Sequence, residues 1–193
     1  MQHFITPYAA KQEATAWWSG AFTDEQLDWL QAQAKAATEP ATIYNNKESL
    51  SNESIRQSYI KWLHKSPENA WAYERLGHVV SSLNADYFRF QLTGFGEPCQ
   101  LTNYLDSNSG KYGWHQDFGV NTSRKLSVVL QLSQPSDYEG GDLQIMISGE
   151  PENIKKERGF VSVFPAWTLH RVTPVTRGTR QSLVAWIAGD PFR

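Results

Sequence analysis

The chain has 193 residues, a formal net charge of −2 and a sequence pI of about 6.2. This length favours one domain with a sizeable core, and the weakly acidic balance argues against nucleic acid or an anionic membrane as a partner. Cys99 is the single cysteine, which excludes an intramolecular disulfide. The chain shows no charged-then-apolar leader and no run of 18 apolar residues. We therefore expect a cytoplasmic protein that binds neither nucleic acid nor a membrane.

The earlier part of the chain carries patterns that are typical of helices. Thr23 and Gln26 form a capping-box pattern, and apolar residues follow at helical spacing, which predicts a helix over about 23–37. The same spacing of apolar residues predicts two further helices, over about 51–65 and 68–85.

From about residue 87 the hydrophobic period changes to that of strands. A turn at 176–178 is predicted to lead into the last of them. The predicted strands cover 87–92, 101–105, 112–115, 125–132, 142–147, two short runs within 161–172 on either side of a proline corner, and 179–188.

These elements predict a mostly β fold with N-terminal helices. We divide the chain into a helical front, about 1–86, and a β core, about 87–193, within a single domain. Helices packed against a β-sandwich or jelly roll are the simplest architecture for this order of elements.

Two histidines and one aspartate form the most informative pattern of the chain. In a strand, residues i and i+2 point to the same side, so His115 and Asp117 can face one interior, and His170 must arrive from a different strand. Two histidines and one carboxylate on one face of an octahedral metal leave three positions open, which suits Fe(II) and O₂ chemistry. Arg180, ten positions after His170, can bind a carboxylate beside that metal.

The neighbouring strands add further candidate residues. Arg180 and Trp186 fall on one face of the last predicted strand and can point into the same cavity as His170. Gln131 shares the face of Val129 in an earlier strand, where a polar group needs a partner.

The combined motifs of residues 100–190 resemble those of the Fe(II)/2-oxoglutarate-dependent dioxygenases. More narrowly, they resemble the prolyl-4-hydroxylase-like branch and the PKHD-type hydroxylases of bacteria and their viruses. That family folds as a double-stranded β-helix, a jelly roll with packing helices. The motifs are Tyr112-Gly-Trp-His-Gln-Asp117, Arg124-Lys-Leu-Ser127, the stretch from Leu132 to Gly140-Gly141, and the stretch from Phe164-Pro through His170 to Gly178-Thr-Arg180.

The resemblance implies roles for individual residues. His115, Asp117 and His170 would bind Fe(II), and Arg180 would pair with the far carboxylate of 2-oxoglutarate. Some relatives have a tyrosine where this chain has Gln131, whose amide can still donate a hydrogen bond. The other residues of the cosubstrate pocket would be Tyr104, Gln131 and Trp186.

Residues around the predicted metal strand are candidates for substrate contact. Tyr112, Trp114 and Trp167 offer flat apolar surfaces on which a pyrrolidine ring can pack. Arg124 is predicted at the mouth of the barrel, where substrate contact is one interpretation and a structural role is the other.

The resemblance implies hydroxylation of an unactivated C–H bond, with Fe(II), 2-oxoglutarate and O₂ and with ascorbate as a further cofactor. Our leading hypothesis is a prolyl residue in a protein or peptide, which requires an open groove and an ordered loop at 106–111. The first alternative is a free amino acid or other small metabolite, which requires a closed pocket and a charged anchor such as Arg124. The second alternative is a non-catalytic jelly-roll metal-binding protein. The sequence leaves the oligomeric state open.

Overall fold

The computed structural model describes residues 13–45, 48–50, 52, 54–119 and 123–190. The helices are α1 (Asp24–Lys35) and α2 (Ala70–Leu83). The strands are β1 (Ala16–Trp18), β2 (Glu39–Pro40), β3 (Ile43–Asn45), β4 (Glu48–Leu50), β5 (Arg56–Gln57), β6 (Tyr59–Leu63), β7 (Leu92–Phe95), β8 (Cys99–Leu105), β9 (Lys111–His115), β10 (Arg124–Gln131), β11 (Tyr138–Gly140), β12 (Leu143–Ile147), β13 (Glu150–Asn153), β14 (Val161–Pro165), β15 (His170–Val172) and β16 (Val175–Gly189).

The first and third predicted helices are confirmed as α1 and α2. The Thr23 side chain accepts a hydrogen bond from the Gln26 backbone N–H, and the Gln26 side chain accepts one from the Thr23 N–H. This reciprocal cap satisfies two amide donors that the first turn of a helix leaves without partners.

The predicted helix over 51–65 is wrong, because the described part of this segment forms β5 and β6; Ser51 and Glu53 lie outside the described residues. Aromatic and β-branched residues such as Tyr59 and Ile60 suit strands as well as helix faces. β6 finds a full partner in β8, so tertiary pairing prevails over the helical spacing.

The strand predicted over 87–92 is also wrong. Residues Asn84–Phe88 continue α2 as a π-helical turn, and Arg89 ends the turn with a left-handed backbone, φ 57°. The predicted turn at 176–178 lies inside β16 as an irregularity. Gly178 adopts φ 74° there, and a Cβ at this position would lie 1.9 Å from the Asp137 carbonyl oxygen, so glycine is required.

Two antiparallel sheets face each other across the molecule. In the major sheet the strands run β1-β14-β10-β16-β8-β6-β2, with β7 and β11 also paired to β16. In the minor sheet they run β13-β12-β15-β9-β5, while β3 and β4 form a separate hairpin. The prediction of a mostly β fold with N-terminal helices and a jelly-roll core is confirmed.

The two faces of the major sheet have different partners. On β10, Leu126, Val128 and Leu130 pack in the core that includes α1 and α2. Val129, which alternates with them, packs instead in a second core formed with the minor sheet. Period-two alternation therefore places Gln131, two residues after Val129, between the two sheets.

Strands from the earlier part of the chain complete both sheets. β6 pairs with β8 of the major sheet, and β5 pairs with β9 of the minor sheet. The front is therefore not only helical, and the single domain over 1–193 stays a prediction. Neither described helix is both long and apolar enough to cross a membrane.

Candidate active site

Three candidate metal ligands meet at one end of the space between the sheets. The ligand atoms of His115, Asp117 and His170 all lie within 4.8 Å of one another. His170 Nε2 is 3.5 Å from Asp117 Oδ2, and His115 Nε2 is 3.9 Å from Asp117 Oδ1. β15 and β9 bring the histidines together, because His170 and His115 are directly paired across the sheet. This clustering agrees with the interpretation of the three residues as a facial triad.

Each histidine is oriented by a backbone carbonyl two residues before it. The Nδ1 atom of His115 lies 2.8 Å from the Gly113 carbonyl oxygen, and that of His170 lies 2.9 Å from the Thr168 carbonyl oxygen. An Nδ1–H that donates to a carbonyl leaves Nε2 with a free lone pair. Both Nε2 atoms face Asp117 and can therefore act as metal ligands.

Hydrogen bonds of its backbone and of its carboxylate fix the position of Asp117. The amides of Asp117 and Phe118 both donate to the Ala166 carbonyl oxygen, each at 2.9 Å. The Ser127 hydroxyl donates to Asp117 Oδ2 at 2.6 Å. β9 ends at His115, so these contacts, rather than a continuing strand, turn the Asp117 side chain towards the histidines.

The environment favours the protonation states that a metal requires. Burial, together with the neighbouring His170, lowers the pKa of His115 to about 3, so its imidazole is neutral at physiological pH. Burial alone would raise the pKa of Asp117, but His170, His115 and the Ser127 hydroxyl lower it below its usual value. Together with His170, the neutral His115 imidazole and the Asp117 carboxylate form a donor set that suits Fe(II).

A bulge in β9 sets the orientation of its aromatic residues. His170 pairs with His115 but Val172 pairs with Tyr112, so three steps on β9 oppose two on β15. Tyr112 consequently lies on the same side as His115, with ring centroids 3.5 Å apart. Trp114 packs instead against Arg171, whose guanidinium carbon is 4.5 Å from the Trp114 ring centroid.

A narrow cavity runs from the triad into the molecule and ends at Arg180. Its walls come from both sheets, with Val129 and Val184 on one side and Leu143 and Val172 on the other. These side chains are apolar, so the cavity excludes water around any ligand that reaches the arginine.

Arg180 is the largest fully buried side chain among the described residues, with 1% of its surface exposed. Its guanidinium donates to the Gln131 side-chain oxygen at 3.0 Å and to the Ser182 hydroxyl at 3.3 Å, and it lies 5.2 Å from the Tyr104 ring. Arg180 Nε and Gln131 Nε2 have no hydrogen-bond partner among the described residues. A buried cation beside unused donors is a binding site for an anion.

A wide cleft of about 490 Å³ opens on the other side of the triad. Apolar side chains form much of its wall, and Phe118 at its edge is 45% exposed. Arg124 lies over Trp186, with the guanidinium carbon 3.9 Å from the ring centroid. The apolar wall consists of Ile43, Ile60, Trp62, Phe118 and Trp186.

The structure brings most, but not all, of the predicted pocket residues to these two spaces. Tyr104 lines the narrow cavity and Gln131 contacts Arg180 beside it, while Tyr112 lines both spaces and Arg124 lines the cleft. Trp186 was expected beside the cosubstrate but lies in the wide cleft. Six residues of strand separate it from Arg180, a distance of roughly 20 Å.

Two predicted substrate residues line neither space. Trp114 packs on Arg171, away from the triad, because it directly precedes His115 in β9 and adjacent strand residues point to opposite faces. Trp167 lies next to the site, where its carbonyl accepts a hydrogen bond from the Gln116 side chain and its ring packs against Phe90.

Four residues near the site escaped the sequence analysis as functional candidates. Ser127 could have been found, since alternation places it on the inward face of β10. Tyr138 lies beside Arg180, which partly offsets the increase in the Tyr138 pKa that burial causes. No sequence pattern pointed to Glu97 or Arg56, because Glu97 lies in a loop and Arg56 lies in the segment predicted to be helical.

The residues present fit the groups that the motifs imply. The two free imidazole nitrogens and the carboxylate match the ligands of Fe(II). The two unpartnered donors at Arg180 and Gln131 match the distal carboxylate of a small dicarboxylic acid such as 2-oxoglutarate. A jelly roll with two histidines and one carboxylate at its open end belongs to the structural class of the non-haem Fe(II) oxygenases.

The similarity to known proteins lies in the strands that carry this site. Residues 99–188 match the model of the 2OG-Fe(II) oxygenase superfamily. A PKHD-type hydroxylase of Sphingopyxis alaskensis is 32% identical over 62% of this chain and 58% of its own length. One of Prochlorococcus marinus is 43% identical over 48% of this chain and 44% of its own length. Residues 99–188 are thus similar to the 2OG-Fe(II) oxygenases and, among them, to PKHD-type hydroxylases, so the resemblance seen in the sequence is confirmed.

Solved structures confirm the fold over a larger part of the chain. A prolyl-4-hydroxylase of Pseudomonas putida superimposes with a TM-score of 0.72 at 19% identity, over 92% of this chain and 94% of its own. A prolyl hydroxylase of Trichoplax adhaerens, in complex with a peptide fragment of a hypoxia inducible factor, has a TM-score of 0.74 at 18% identity, over 91% and 84%. By contrast, the chain spans only about half the length of the curated relatives that it matches.

Proposed function

We propose that the protein is a Fe(II)- and 2-oxoglutarate-dependent dioxygenase that hydroxylates a prolyl residue in a protein or peptide. One observation carries the proposal. A triad of two imidazoles and one carboxylate is joined by a narrow apolar cavity to a fully buried arginine with unused donors. This arrangement suits a metal and a small dicarboxylate at the same time.

Each group in this arrangement has a defined task. His115 and His170 would hold Fe(II) through Nε2, and Asp117 through a carboxylate oxygen. Arg180 and the Gln131 amide would bind the distal carboxylate of 2-oxoglutarate. With Fe(II) and 2-oxoglutarate bound there, the site would let O₂ hydroxylate an unactivated C–H bond: one oxygen atom would enter the substrate and the other would enter 2-oxoglutarate, which would leave as succinate and CO₂. The apolar cavity wall would exclude water from these groups, and the wide cleft would present the substrate to the triad.

The cleft supports a polypeptide substrate over a free amino acid. A free amino acid requires a charged anchor, and the residue expected in that role, Arg124, already donates two hydrogen bonds to Glu97, at 2.6 and 2.7 Å. The aromatic wall offers flat surfaces for a pyrrolidine ring, and two of the structural neighbours carry the name of prolyl hydroxylases.

The loop expected to clamp the substrate has a different position. Asp106 accepts a hydrogen bond from the Gly178 amide at 2.6 Å, which ties this loop to β16. No residue of 106–111 is among those described around the cleft. The sides of the cleft are formed instead by β3 and by the segment of Phe118, so these would contact a bound chain.

The test is product analysis with a matched set of proline-containing peptides. The purified protein is incubated with Fe(II), ascorbate and 2-oxoglutarate, and we expect succinate together with a mass gain of one oxygen on a prolyl residue. Succinate with free amino acids but with no peptide would favour the small-metabolite alternative. Absence of succinate with every substrate, in protein that binds the metal, would favour the non-catalytic alternative.

We also propose a reducing cytoplasmic location, since the one cysteine is buried.

A further inference from the structure

Arg56 lies where the narrow cavity and the wide cleft meet. It is half-buried, and its side chain lines both spaces. β5 holds it there by pairing with β9, in a register that sets Arg56 opposite Tyr112. Its guanidinium carbon lies 4.6 Å from the Tyr112 ring centroid, and the Tyr112 ring in turn stacks on His115.

The guanidinium of Arg56 donates hydrogen bonds to neutral groups. Its Nε donates to the Ser58 hydroxyl at 3.0 Å, one Nη to the Gln100 side-chain oxygen at 2.8 Å, and the other Nη to the Thr42 carbonyl oxygen at 3.4 Å. These bonds use three of the five N–H donors of a guanidinium, so two are left for a ligand.

Arg56 has no acidic partner among the described residues. No carboxylate of the described part of the chain lies within 4.0 Å of its nitrogens. The other basic side chain that lines the cleft is Arg124, which Glu97 neutralises in a bidentate pair. Asp117 belongs to the triad, and Glu39 is exposed on the edge strand β2.

We propose that Arg56 anchors an acidic side chain of the polypeptide substrate, at a residue that flanks the target proline. The proposal rests on the proposed function, and it specifies which type of residue the substrate carries near the target proline. A guanidinium with two spare donors in a partly desolvated wall binds a carboxylate with fork-like geometry. Arg56 contacts the Tyr112 ring, which in turn stacks on the triad residue His115, so one side chain separates the anchor from the triad. The bound acidic residue must therefore be a near neighbour of the reacting one.

The binding experiment uses two pairs of fluorescently labelled peptides. The members of a pair differ only by Asp or Asn next to the same proline, and this residue precedes the proline in one pair and follows it in the other. Fluorescence anisotropy is measured without iron or O₂, so that binding is recorded independently of turnover. We expect the wild-type protein to bind the Asp peptide of at least one pair about tenfold more tightly than its Asn counterpart.

Variants assign this preference to one residue. Arg56→Gln should abolish the preference for Asp, while Arg56→Lys, which keeps the charge, should retain part of it. Arg177→Gln, which removes an exposed arginine paired with Glu139, is the matched control and should change nothing. The contrast between the Gln and Lys variants is interpreted only after both give the wild-type circular dichroism spectrum.

The outcomes separate this proposal from the proposed function. Equal affinity of the wild-type protein for both members of every pair, no binding of any peptide, or an unchanged preference in Arg56→Gln would each overturn the role of Arg56. If Arg56→Gln fails to fold, the pairs are compared in Arg56→Lys, whose preference for Asp over Asn should be smaller than that of the wild-type protein. A preference that Arg56→Lys leaves wholly unchanged would count against recognition by the guanidinium. Arg56-dependent binding of the Asp peptide without hydroxylation, once iron and 2-oxoglutarate are added, would sink the proposed function and leave the anchor standing.

Discussion

The narrow cavity and the wide cleft each place an arginine beside an aromatic ring, yet the two arginines differ in their partners. Arg180 lies 5.2 Å from the Tyr104 ring, is 1% exposed and has no carboxylate within 4.0 Å among the described residues. Arg124 lies 3.9 Å from the Trp186 ring, is partly exposed and is paired with Glu97. Arg180 therefore has no counter-ion among the described residues, whereas the charge of Arg124 is neutralised by Glu97.

This difference indicates two kinds of selectivity. A buried charge without a counter-ion is costly, so the narrow cavity requires an anion of matching size. In the cleft, Arg124 and Glu97 neutralise each other and part of the wall is apolar, so apart from an acidic residue at Arg56 the cleft suits a chain whose residues can vary. One end of the site would thus define the cosubstrate, while the other would tolerate different substrates.

The largest expected effect comes from removing a triad residue that lines both spaces. Asp117→Ala removes the one anionic ligand of the triad and should abolish turnover and weaken Fe(II) binding. Succinate formation and anaerobic metal titration measure the two effects. Asp86→Ala, at an exposed aspartate after α2, is the control and should behave as wild type. Turnover that survives in Asp117→Ala would contradict the facial-triad assignment.

The next effect should be confined to the narrow cavity. Arg180→Ala strands the distal carboxylate of 2-oxoglutarate in a desolvated space, at a cost of about 2–5 kcal/mol. Calorimetric titration should show a large loss of 2-oxoglutarate affinity and a much smaller change in metal affinity. If the variant bound 2-oxoglutarate as well as wild type, another basic residue, such as Arg124, would be the partner of the carboxylate.

A smaller effect is expected at the support of the triad. Ser127→Ala removes the hydrogen bond to Asp117 Oδ2 and should weaken metal binding by about 10–100-fold, because groups that orient a ligand commonly contribute this much. Anaerobic titration with Mn(II) measures the affinity without turnover. Ser127→Thr keeps the hydroxyl and should restore most of the affinity, and a Thr variant as weak as the Ala variant would indicate a packing role instead.

The smallest effect should appear in the cleft alone. Glu97→Gln releases Arg124, which would then offer a second cation to an acidic peptide. Since the pair is partly exposed, we expect a gain of only about 1 kcal/mol or less in binding the Asp-containing peptide. The KM for 2-oxoglutarate should stay at the wild-type value. A change in that KM would show that the two spaces are not independent.

The sequence predicted the facing of side chains best where strands are long and regular. Alternation on β10 and β16 correctly placed Gln131 and Arg180 on the inward faces, and the structure joins them by a hydrogen bond. Alternation failed on β9, where the bulge brings Tyr112 to the side of His115. A bulge depends on pairing with a distant strand, so the local pattern does not reveal it.

The segment of Arg56 shows a second limit of the sequence. Apolar residues at helical spacing predicted a helix over 51–65, but β5 and β6 owe their conformation to β9 and β8, which lie about 40 residues or more further along the chain. Local spacing carries no information about such partners. The same distant pairing delivers Arg56 to the cleft, so the wrong helix and the missed residue have one cause.

If the buried guanidinium of Arg180 binds 2-oxoglutarate as proposed, it would also link folding to metabolism. A ligand that binds only the folded chain stabilises it by about 2.7 kcal/mol when its concentration is 100 times the dissociation constant. For a chain of this length, each kcal/mol corresponds to about 2–4 °C in melting temperature. The lifetime of the protein would then follow the supply of 2-oxoglutarate, so that a fall in this metabolite lowers the amount of folded enzyme as well as its rate.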